Sequence, residues 1–82
     1  MTGRIPASAV LTEEKAGHIY DPGGPNHGKP ARIKWWTYGI PSGVTYYVEA
    51  YVDHERLFRR SATGRNVAKW RAAYDEMAEV IR

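Results

Sequence analysis

Three kinds of residue in this 82-residue chain could do chemistry at a surface. The first is a set of cations and aromatic rings at alternating positions: Arg32, Lys34 and Trp36 in one stretch, Tyr47 and Tyr51 in a second, Phe58 and Arg60 in a third. Arg and Lys contact phosphates, while rigid aromatics and Arg approach bases or sugars, so the set suits nucleic-acid binding if one surface presents it. Protein interfaces favour the same residue types, so composition alone does not separate a nucleic acid from a host protein as partner. The plainer reading is that the aromatics are good strand formers and that Glu49, between Lys34 and Arg60, completes a stabilising charge ladder. Glu49 also counts against phosphate contact, because it would face like charge.

The second kind is histidine. His18, His27 and His54 share no spacing that suggests a metal site and read as solvated loop or strand-end residues. Asp53-His54-Glu55 has acid and base types side by side, but neighbours on a turn point apart. The third kind comprises Ser8, Ser42 and Ser61, which lack the context of a nucleophile elbow, and Gly23-Gly24 with Gly28, which no strand–loop–helix follows. The chain has no cysteine, which excludes disulfides and thiolate metal sites. These features point to a non-enzymatic protein with no cofactor and no metal.

The elements that must position the first set can be read from hydrophobic period. Asp21-Pro22-Gly23-Gly24-Pro25-Asn26-His27-Gly28-Lys29-Pro30 is neither helix nor central strand. Residues 1–30 therefore read as an irregular N-terminal arm and Gly/Pro-rich loop. Within them, Thr12-Glu13-Glu14-Lys15 could cap a short helical turn, and Gly17 to Tyr20 could form a short edge strand. Residues 31–82 read as a β-β-β-α domain. Ile33 to Tyr38 is aromatic and β-rich, Val44 to Asp53 alternates cleanly, and Leu57 to Ala62 is a third strand. Val67, Trp70, Tyr74, Met77 and Ile81 recur at steps of three and four, the stripe of an amphipathic helix, with Ser61 or Thr63 as its N-cap. Trp70 is expected at the centre of the buried stripe, with Arg71 largely outside it.

The expected fold is α+β: a three-stranded antiparallel sheet packed on one C-terminal helix. With four-residue loops in both hairpins, Trp35 pairs with Val48, Ile33 with Ala50 and Val52 with Leu57, all facing the helix. The opposite face then carries Trp36 beside Tyr47, a Lys34–Glu49–Arg60 row and an Arg32–Tyr51–Phe58 row. A one-residue bulge would flip part of this set.

Composition sets wider limits. Hydrophobic content of 43% with 26% charged residues is ordinary globular composition. The net charge of +3 lies entirely in residues 31–82, because Arg4, Lys15 and Lys29 balance Glu13, Glu14 and Asp21 in the arm. So mild an excess permits an acidic partner without demanding one. No apolar run approaches the roughly 18–20 residues of a membrane span, and Met1 to Leu11 is no secretory signal, so a cytoplasmic location is expected.

The β-β-β-α order of residues 32–82 resembles the arm-type DNA-binding domains of phage integrases, which lay a three-stranded sheet on duplex DNA and back it with a C-terminal helix. The likeness rests on Arg32, Lys34, Trp36, Tyr47, Tyr51 and Arg60 over the Trp70 helix, and implies a free DNA-binding accessory protein. Gly24-Pro25-Asn26-His27 and Ala68-Lys69-Trp70-Arg71-Ala72-Ala73 are similar to the Gly-Pro-x-His loop and last helix of the double-stranded RNA-binding domain. Arg65 and Asn66 stand where that family has paired lysines, and a full first helix is lacking. In size the chain also resembles small accessory proteins of actinobacterial phages, which implies a host-directed binder. The sequence thus leads to a small binding module that uses an open aromatic and basic sheet face on nucleic acid. The alternative is a phage-encoded inhibitor of a host protein acting through the same face, and the face could also pair two copies of the chain.

Overall fold

A computed structural model describes residues 4–82, so the first three residues of the expected arm, 1–3, lie outside the described part. The elements are strands β1 (Val10–His18), β2 (Pro30–Ile40), β3 (Gly43–Val52) and β4 (Glu55–Ala62), then helix α1 (Asn66–Val80). All neighbouring strands are antiparallel and the sheet order is β1-β2-β3-β4. The helix-on-sheet α+β architecture is the expected one, but the sheet has four strands rather than three.

The additional strand is β1. It replaces the short helical turn expected at Thr12–Lys15 and begins well before the edge strand expected at Gly17. Every β1 residue but Gly17 is exposed, so no alternation of burial marks the strand in the sequence. Its charges are those of a guarded sheet edge, which like-charged or solvated side chains keep from pairing with another chain. Glu13 and Lys15 face the helix, where Glu13 pairs with Arg71 and Lys15 Nζ donates to the Ala78 carbonyl at 2.6 Å. Glu14 faces the other way and pairs with Arg32 at 3.2 Å. Thr12 is bulged, between the pairs Leu11↔Trp36 and Glu13↔Trp35.

The β2–β3 register is the expected one, with Trp35↔Val48, Lys34↔Glu49 and Ile33↔Ala50. Both hairpin loops are shorter than expected. Ile40 pairs with Gly43 and Val52 with Glu55, leaving Pro41-Ser42 and Asp53-His54 as two-residue turns. Asp53 and His54 both take positive φ, +54° and +67°, as a type I′ turn requires. Leu57 is then bulged between Ala50↔Phe58 and Tyr51↔Arg56. The bulge shifts parity from Phe58 onward. Without it, Leu57, Arg59 and Ser61 would face the helix. With it, Phe58 and Ala62 do, and Leu57 is left 57% exposed.

The core lies between the inner sheet face and α1. Ile33, Val48, Ala50 and Ala62 are fully buried, with Trp35, Val52 and Tyr74 nearly so. Tyr74 is the buried residue of the helix and meets the Trp35 ring edge-on at 6.0 Å. Trp70, expected at the centre, is half-buried at the rim against Phe58. Arg71 lies over the core instead of outside it. Its guanidinium sits 5.2 Å from the Trp35 ring centre and 4.7 Å from that of Tyr74, between the carboxylates of Glu13 and Asp75.

The helix starts at Arg65–Asn66 with no side-chain cap, so neither Ser61, which is in β4, nor Thr63 has the expected role. After Val80 the chain turns extended. Ile81 is fully buried and bridges Ile19, while His18 and Arg82 exchange backbone hydrogen bonds at 3.0 and 2.8 Å. Gly17 lies beneath this crossing, and a Cβ there would overlap the Arg82 carbonyl.

Candidate nucleic-acid interface

The sheet face away from α1 is built from every second residue of each strand. β2 supplies Arg32, Lys34, Trp36 and Tyr38, and β3 supplies Tyr47, Glu49 and Tyr51. β1 adds Glu14 and Ala16 opposite Lys34 and Arg32, and β4 adds Arg56, Arg59 and Ser61 opposite Tyr51, Glu49 and Tyr47. Five of the residues expected on this face, Arg32, Lys34, Trp36, Tyr47 and Tyr51, are brought together there. Phe58 and Arg60 are not. The bulge at Leu57 turns both toward the helix, where Phe58 packs on Trp70 at 6.1 Å and the Arg60 guanidinium lies 5.7 Å from the Trp70 ring centre.

The charge ladder has a different third member as a result. Glu49 is 4% exposed and takes a hydrogen bond from Arg59 Nε at 3.0 Å. A buried carboxylate requires such a partner, and this pairing neutralises the one acidic group at the centre of the face. Tyr47 is also buried, at 8% exposure, because it sits in an inner strand between longer neighbours. It therefore supports the face rather than offering a ring to a partner.

The accessible chemistry lies along β2. Lys34 Nζ is 5.9 Å from the Trp36 ring centre and 5.7 Å from that of Tyr51, a cation held between two aromatic faces. Among the described residues, Lys34 has no carboxylate within ion-pair distance, whereas Arg32 shares Glu14. Trp36 Nε1 is buried with no hydrogen-bond partner among the described residues. Burial, reinforced by the Glu49 carboxylate, raises the Tyr51 hydroxyl above its ordinary value, so it stays protonated at neutral pH. At the end of the face nearest the β3–β4 turn is a groove of about 300 Å³, lined among others by Ala16, Gly17, Arg32, Lys34, Tyr51 and His54.

Arg56, Arg59, Ala16 and His54 are the members that sequence reasoning missed. The type I′ turn was the available signal, since Asp and His tolerate positive φ. No cluster of three or more His, Asp or Glu able to hold a metal occurs among the described residues, and no helix there is long and apolar enough to cross a membrane. Comparison of the chain with protein-family models, curated proteins and solved structures finds no match.

Proposed function

We propose that this chain is a non-enzymatic nucleic-acid-binding module that meets its partner with the open sheet face. The observation carrying this reading is Lys34: a cation without a carboxylate partner, fixed between the Trp36 and Tyr51 rings beside Arg32 and the groove. Arg56 adds a further exposed cation in the row with Tyr51. Such a surface meets phosphates with its cations and sugars or bases with its rings.

Titration of single- and double-stranded oligonucleotides over a range of salt tests this. Replacing Arg32 and Lys34 together by Ala removes about two phosphate contacts and should flatten the log–log salt slope by roughly 1.8 on duplex, at about 0.9 per contact. Arg60→Ala, on the helix side, should leave the slope unchanged. An equal effect of Arg60→Ala, or absence of binding at low salt with the fold intact, defeats the proposal.

A second reading, a binder directed at a host protein, is favoured by the other end of the sheet. The tip of the β2–β3 hairpin extends past both edge strands, and Val10, Leu11, Ile40 and Val44 there are 60%, 37%, 39% and 48% exposed. Binding that survives high salt and is lost on Val44→Asp would select this reading.

A further inference from the structure

The groove at the β3–β4 end of the open face owes its existence to side-chain size. β1 places Ala16 and Gly17 opposite Arg32 and Ala31, so a notch opens where a longer residue would have filled the space. Its volume of about 300 Å³ is at the low end for small-ligand pockets, roughly 300–1,000 Å³, with room for one nucleotide but not for a run of them. A strand can therefore enter it only by an end.

The charges in the groove discriminate between kinds of phosphate. Lys34 has no carboxylate partner among the described residues, and the rings of Trp36 and Tyr51 hold it in place. The Arg32 side chain is 52% exposed and shares Glu14 at 3.2 Å, leaving donors for a ligand. A phosphomonoester carries about −1.5 to −2 at pH 7, whereas a backbone diester carries a single charge. Coulomb attraction to a fixed cation scales with that charge, so the monoester gains more from the same site. Tyr51 lends an aromatic surface against which one base can lie.

We infer that this groove is a pocket for the phosphomonoester of a single nucleotide, carried by the end of a strand or by a free mononucleotide. The inference rests on the nucleic-acid reading of the open face and adds the place where a strand terminates. Ala16, Gly17 and Tyr51 shape the pocket, Lys34 and Arg32 hold the phosphoryl oxygens, and His54 borders it from the turn.

Fluorescence anisotropy with short single strands bearing a 5′-phosphate, a 3′-phosphate or only hydroxyl ends tests the inference. One phosphorylated end should bind about tenfold more tightly than the hydroxyl-ended strand, the effect of one charge-assisted hydrogen bond. Ala16→Phe fills the notch at an exposed position and keeps every charge. It should abolish the preference while leaving salt-dependent binding in place. Lys34→Gln should do the same if Ala16→Phe perturbs the amide spectrum. A free nucleoside monophosphate that competes for the pocket and shifts the Ala16, Lys34 and His54 amides supports the free nucleotide as the source. Failure to compete, with the end preference intact, supports the strand end. Equal affinity for phosphorylated and hydroxyl ends overturns the pocket and leaves the nucleic-acid reading standing, whereas no binding of any probe overturns both.

Discussion

Tyr74 and Trp70 sit one helical turn apart on the same stripe, yet the sheet buries the first and leaves the second at its rim. The pattern of apolar residues marks the stripe but not where along the helix the sheet ends. Tyr74→Ala should therefore cost about 3–5 kcal/mol, as for aromatics removed from cores. Trp70→Ala should cost less, about 1–2 kcal/mol, because much of its surface is already in water. Urea melts of the two variants check the order, and a larger loss for Trp70→Ala would contradict the packing. At the same scale, Arg71 covers Trp35 and Tyr74 while its donors reach Glu13, with one bond of 2.9 Å. Its hydrocarbon stem and guanidinium plane act as a lid, a role that charge-based reading of an exposed helix face does not suggest.

Among the elements, α1 is held by tertiary packing rather than by its own ends. It has no side-chain N-cap, no acidic residue in its first turn and no basic residue in its last, and Arg65 places a cation at the positive end of the dipole. Arg65→Asp should stabilise the protein by about 0.3–1 kcal/mol at low salt, an effect that added salt weakens. Chemical denaturation at two ionic strengths measures it. β1 is the opposite case, an exposed strand anchored at one end by the chain terminus. Gly17→Ala should force the Arg82 carbonyl away and break the His18–Arg82 pair, at about 1–3 kcal/mol as for other steric insertions. Faster amide exchange at His18 and Arg82 would report it directly. The loop between β1 and β2 should exchange unevenly. The Ile19 and Gly28 amides are bonded at 2.9 and 2.8 Å and should be slow, while Gly23 and Asn26, in the exposed tip, should be fast.

For the whole molecule, pH should narrow the stable range from both sides. The hydrogen bond from Arg71 holds the Glu13 carboxyl below its ordinary 4.5. A depressed acid contributes stability above its unfolded pKa and loses it as pH falls through the folded value, so stability should decline below about pH 4.5. Glu13 is largely solvated, which keeps this contribution small, and Glu13→Gln should flatten the acid limb without shifting the neutral plateau. Burial raises Tyr74 and Tyr51 above 10.0, so their contribution is complete below pH 10.0 and is lost as pH rises through their folded values. Thermal midpoints from pH 3 to 11 test both limbs, and an acid limb unchanged in Glu13→Gln would remove this ion pair as its cause.

What the sequence determined by itself is the part carried by local period. The alternation of Val44 to Val52 and the aromatic run before it specify a hairpin whose register follows from which residues must be buried, and the three-four spacing from Val67 to Met77 specifies the helix. Arg32, Lys34, Trp36 and Tyr51 reach one face for that reason alone. Tertiary structure decided the rest. β1 has no buried alternation to reveal it, because it is an edge strand whose charges find partners only once Arg71, Ala78 and Arg32 are in place. The bulge at Leu57 is likewise not a local preference: it exists because burying Phe58 and Ala62 against α1, and setting Arg59 beside Glu49, outweighs burying Leu57 with Arg59 and Ser61. A single extra residue in one strand reverses every side chain after it, and this moved Phe58 and Arg60 off the face that alternation alone would have given them.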